Sequence, residues 1–137
     1  MFPGSTTFTY VIEEPFDRAL KRLRAALAAS GLKVTGELDL SMRIGRALLV
    51  SLPPCVVIFV TSRGMTICDS AADRYSAALT PIHVVASARG PRTEVHFLKA
   101  IPNREYVSQS KTFENVRTLQ ASLSRTLERI GRRRLDN

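Results

Sequence analysis

Cys55-Val56-Val57-Ile58-Phe59-Val60 is the stretch on which the fold turns. Its apolar, mostly β-branched residues favour an extended strand. Pro53-Pro54 just ahead reinforces this, because a residue preceding proline avoids the helical region. A segment that is apolar on both faces belongs inside a sheet, covered on each side by helix, by a second layer or by another subunit. It is far too short to cross a bilayer, which takes about 20 apolar residues.

Working outward, residues 6–12 place Phe8, Tyr10 and Ile12 on one side and Thr7, Thr9 and Val11 on the other, the alternation of a half-buried strand. Pro15 suits the first turn of a helix, Phe16, Leu20, Leu23 and Leu27 follow at helical spacing, and Gly31 ends it. Asp17, Arg18, Lys21, Arg22 and Arg24 on the opposite side read as a solvated face. Residues 32–40 alternate again, with Leu32, Val34, Leu38 and Leu40 on one face and Lys33, Thr35, Glu37 and Asp39 on the other. A short helix is expected over residues 42–48. Thr61-Ser62-Arg63-Gly64 looks like a strand-to-helix joint, with Met65, Cys68, Ala72 and Tyr75 at helical spacing after it. Residues 77–88 and 92–101 are strand candidates around Gly90-Pro91, a hairpin signal. After a polar link, Val116, Leu119, Leu123, Leu127 and Ile130 mark a long amphipathic helix that Gly131-Arg132-Arg133-Arg134 closes.

The predicted order is strand, helix, strand, short helix, strand, helix, strand, strand, helix. An α+β fold in two layers, a mixed sheet of about five strands with helices mainly on one face, buries all of these stripes together. At 137 residues and 45% hydrophobic content, residues 1–137 fit a single domain that needs no metal or disulfide to hold it. Cys55 and Cys68 lack metal-type spacing and read as reduced thiols, which points to the cytoplasm. The N-terminus lacks the pattern of a signal peptide, and neither export nor a membrane partner is expected. A formal charge of +8, from 20 Lys and Arg against 12 Asp and Glu, favours anionic partners without naming one.

Residues 16–101 resemble the domain of unknown function 302 family. The likeness is carried by Phe16-Asp17-Arg18-Ala19-Leu20-Lys21-Arg22-Leu23 through Gly31-Leu32-Lys33-Val34, by Val50-Ser51-Leu52-Pro53-Pro54 into Val57-Ile58, and by Leu79-Thr80-Pro81-Ile82-His83-Val84-Val85. Residues 102–137 add the link and the C-terminal helix. The resemblance implies an α+β fold and a tendency to form dimers, and it supplies no catalytic template. Where the family often carries cysteine, asparagine and proline after the central strand, this chain has Thr61, Ser62 and Arg63. Where it often has a cysteine after the late proline, this chain has Ile82. Thiol chemistry of relatives therefore does not transfer.

Phosphate loops, zincin helices, CxxC pairs and nucleophile elbows are absent, which removes the recognisable enzyme classes and weighs against catalysis. No cofactor is implied. Thr61, Ser62, Arg63 and Gly64 form the candidate ligand site, since a helix N-terminus and an arginine would receive a small anion, although a plain helix cap explains the same residues. His83, His96 and Glu94 share one sheet face if the hairpin register sums to an odd number, and so form a candidate metal or acid–base group without a nameable further ligand. Arg117, Arg125, Arg129, Arg132, Arg133 and Arg134 offer phosphate contacts for nucleic acid. Interspersed acids and the lack of interleaved aromatics argue instead for a solvated face. The function expected is a homodimeric ligand-binding or protein-interaction module. The alternatives are a small enzyme or metal-binding protein using His83, His96 and Glu94, and weak nucleic-acid binding through the basic C-terminal helix.

Overall fold

The computed structural model describes residues 7–62, 81–99 and 110–134, with backbone alone over 110–114. The helix expected after Gly64 and the first part of the strand expected over 77–88 lie outside the described residues. The elements are β1 (Thr7–Ile12), α1 (Phe16–Ala29), β2 (Leu32–Asp39), α2 (Leu40–Leu48), β3 (Cys55–Ser62), β4 (Ile82–Arg89), β5 (Arg92–Leu98), α3 (Ser110–Ile130) and β6 (Arg132–Arg134). The strands form one sheet in the order β2-β3-β4-β5-β1-β6. Every pairing is antiparallel, rather than the mixed sheet of about five strands expected from sequence, and β3 lies between β2 and β4.

Helices α1 and α3 cover one face of this sheet. Leu20, Leu23 and Leu27 of α1 and Leu119, Leu123 and Leu127 of α3 pack with Tyr10, Ile12, Ile58, Val60, Val84, Val95 and Phe97. Each such side chain contributes about 1.5–3 kcal/mol by leaving water. Where the two helices meet, the buried Thr126 hydroxyl donates to the Ser122 carbonyl and lies 2.8 Å from the Ser30 hydroxyl, so a polar group sits in the seam at no loss of hydrogen bonding. α1 ends at Ser30, and Gly31 takes a φ of 75° that a side chain would resist.

The even alternation read along β2 is broken by a bulge. Val34 pairs with Val60 but Gly36 pairs with Phe59, so one extra residue, Thr35, enters the strand. Leu32 and Val34 therefore face the helices, while Leu38 pairs with Val57 on the opposite face, contrary to the single apolar row expected. Glu37 moves to the helix side, where Arg24 of α1 grips it with two hydrogen bonds of 2.8 and 2.6 Å. Thr35 settles the bulge by donating its hydroxyl to the Phe59 carbonyl.

The C-terminal arginines are the second correction. Gly131 stops α3, and Arg132, Arg133 and Arg134 return as a sixth strand beside Val11, Tyr10 and Thr9 rather than trailing from the helix. A Cβ on residue 131 would lie 2.5 Å from the Val11 carbonyl oxygen, so only glycine permits this close approach.

Candidate functional site

The face of the sheet opposite α1 and α3 carries the polar chemistry, and the register arranges it in rows. Cys55, Ser87, Glu94, Val11 and Arg132 form one row, and Val57, Val85, His96, Thr9 and Arg134 the next. Glu94 is central. Its carboxylate meets Arg134 at 2.8 Å, Arg89 at 3.3 Å and His96 Nε2 at 3.4 Å, and its side chain is only 14% exposed. The other ring nitrogen of His96, Nδ1, lies 3.1 Å from the Thr9 hydroxyl. Thr9 and Val11 are buried between these polar neighbours.

At the end of this face lies a cleft of about 550 Å³, framed by Arg89, Arg92, Arg132 and Arg134 around Val11, Pro91 and Glu94. The tight turn at Gly90-Pro91, with Gly90 at a φ of 61°, sets Arg89 directly opposite Arg92. Two like charges in a directly opposed pair repel, and each takes a carboxylate: Arg89 pairs with Glu94, and Arg92 with Glu13 at 3.0 Å. Arg132 also reaches Glu13, at 2.9 Å. Among the described residues, four guanidinium groups share two carboxylates here.

The hairpin register sums to an odd number, which puts His83, His96 and Glu94 on one face of the sheet. The two histidines have different surroundings. His83 is exposed, with its ring edge-on to Phe59 at 5.0 Å, whereas His96 belongs to the Glu94 cluster. Among the described residues, no group of three or more His, Cys, Asp or Glu side chains is arranged to hold a metal ion. Thr61 and Ser62 are half-buried at the end of β3, and Arg63 and Gly64 lie outside the described residues. Burial, and after it the negative charge of Asp39, pushes the Cys55 thiol up, away from the reactive thiolate.

The six arginines proposed from sequence as a nucleic-acid surface are divided. Arg132 and Arg134 point to the cleft, while Arg133 lies 4.7 Å from the centre of the Phe8 ring on the helix side. Sequence reasoning overlooked Arg89 and Arg92. Their signal was present, since identical charges flanking a two-residue turn must face each other. Arg132 and Arg134 were named from sequence as phosphate contacts, but as part of a helix surface rather than of a strand that begins after Gly131.

A separate apolar surface surrounds α2. Asp39 caps the helix by accepting hydrogen bonds from the Met42 amide and the Ser41 hydroxyl, which hold its carboxyl below the usual range. Met42, Ile44, Leu48, Leu49, Val50 and Leu52 are all exposed, and Met42, Leu49, Val50 and Leu52 among them line a groove of about 700 Å³. Leu49, at the helix C-terminus, takes a φ of 57° and is 91% exposed.

Among the described residues, no helix is long and apolar enough to cross a membrane. No curated protein matches the chain. The chain is similar in fold to a solved structure, an uncharacterized conserved DUF302 protein from Bacillus stearothermophilus, at a TM-score of 0.75 and 15% identity over 93% of this chain and 99% of that one. The family described as Domain of unknown function DUF302 matches residues 8–130, and the chain belongs to it.

Proposed function

We propose that this chain is a single-domain binding and interaction module of the cytoplasm, without chemistry of its own, that works as a homodimer. Leu49 carries the reading. A left-handed backbone costs a leucine about 1–2 kcal/mol, which glycine would avoid, and at 91% exposure its side chain returns no burial to the isolated subunit. A costly apolar residue at the tip of an exposed apolar patch is accounted for when a second surface covers it. A second copy supplies that surface by two-fold symmetry, with Leu48, Leu49 and Val50 meeting their equivalents.

The mass of the chain in solution tests this directly. A dimer at high micromolar concentration is expected, and Leu49→Gly, which relieves the backbone strain and deletes the side chain, should weaken association while leaving the subunit at least as stable. A strict monomer at that concentration would overturn the proposal.

A further inference from the structure

We propose that the cleft framed by Arg89, Arg92, Arg132 and Arg134 is a binding site for a small phosphate-bearing dianion. The site requires no second subunit, so it stands or falls separately from dimerisation. Three observations converge on it. The hairpin opposes Arg89 to Arg92 across the two strands, an arrangement that like-charge repulsion penalises and an anion between them relieves. Among the described residues the cleft gathers four arginines on two carboxylates, a positive balance that suits a phosphate monoester carrying about −1.5 to −2 at neutral pH. The guanidinium side chains of Arg89, Arg92 and Arg132 remain 65%, 55% and 58% exposed, so an entering anion meets them without first being buried.

Glu94 supports the site rather than occupying it. With 14% of its side chain exposed, it anchors Arg89 and Arg134 from below. Glu13 plays the same part more loosely for Arg92 and Arg132 at the rim, where it is 52% exposed, and exposed ion pairs of that kind yield readily to a better acceptor. A small ligand fits better than a nucleic acid. The arginines converge within about 550 Å³ instead of tracking along a surface, and among the described residues no aromatic ring lines the cleft to stack a base.

Titration of the full chain with inorganic phosphate and with glycerol phosphate at low ionic strength, followed by amide chemical shifts, tests the assignment. Saturable shifts are expected at Val11, Arg89, Gly90 and Arg132. Arg132→Gln should weaken binding about tenfold by removing one charge-assisted donor, and Glu13→Gln, which adds to the positive excess, should tighten it. Both positions are exposed, so neither substitution threatens the fold. Shifts that chloride reproduces, or affinities that neither substitution changes, would refute the site. An oligonucleotide that binds more tightly than glycerol phosphate, with steep salt dependence, would overturn the small-ligand assignment in favour of a nucleic-acid surface.

Discussion

Replacing Gly131 with alanine tests how the last helix delivers its arginines to the sheet. The new methyl would stand 2.5 Å from the Val11 carbonyl oxygen, 3.1 Å from the Val11 carbonyl carbon and 3.2 Å from Ile12 Cγ1. Val11 cannot yield, because β1 is paired with β5 over its whole length and with β6 beyond it. The residue that can move is 131 itself, and it carries β6 with it. Overpacking of this kind costs about 1–3 kcal/mol. Against that stands a gain of about 1 kcal/mol from alanine in place of glycine at a helix end, because the 131 amide already donates to the Leu127 carbonyl and α3 could extend by one residue. The net loss of global stability is therefore modest, about 0–2 kcal/mol or a few degrees in Tm. The local change is larger: β6 leaves β1, and Arg132 and Arg134 leave the cleft. Amide exchange separates the two effects, with protection at Arg132, which pairs with Val11, expected to vanish while that of Val95 and Phe97 in β5 persists. Retained protection at Arg132 together with an unchanged Tm would refute the reasoning that glycine is required by close approach.

Two further outcomes follow from single polar groups. The Tyr10 hydroxyl is buried without a hydrogen-bond partner among the described residues, so Tyr10→Phe should raise stability by about 1 kcal/mol in urea unfolding, and a loss would show that the hydroxyl is satisfied. Asp39 is held below its unfolded value of about 3.9 by the Met42 amide and the Ser41 hydroxyl, so its contribution is complete above that pH and fades as pH falls through the lower folded pKa. Thermal melts across that acid window should show a steeper decline for the wild type than for Asp39→Asn, and parallel curves would refute the assignment.

The fold was legible wherever one physical signal dominated. The paired prolines and the apolar run placed β3, Gly90-Pro91 placed the hairpin, and the spacing from Val116 to Ile130 placed the long helix. What was not legible came from tertiary geometry acting on residues with no local preference. Nothing in Lys33-Val34-Thr35-Gly36 distinguishes a regular strand from one with a bulge, because the deciding contacts are with Phe59 and with Arg24 on other elements. Arg132, Arg133 and Arg134 have the composition of a solvated tail, and their role as a strand depends on Gly131 fitting against Val11. The arginine cleft was hidden for the same reason. Its members come from three strands, and only the register brings them together.

Among the described residues the sheet ends at β2 and β6, and these edge strands bear on how a second copy would be received. β2 carries the bulge at Thr35 together with Lys33 and Glu37, and a bulged, charged edge resists strand addition. β6 presents three consecutive arginines, so two such edges meeting about a two-fold axis would oppose six like charges. Both edges thus disfavour the commonest route by which open sheets associate. The α2 surface has no comparable run of like charges, with Arg46 the arginine that lines its groove. Its exposed Leu48, Leu49 and Val50 are uncharged and adjacent, and the strained Leu49 backbone already holds the central side chain outward. Association there would also leave the cleft around Glu94 open, since that cleft lies at the β6 side of the sheet while α2 packs against β3, next to the opposite edge. A dimer joined through α2 would therefore carry two anion sites facing solvent, one on each subunit.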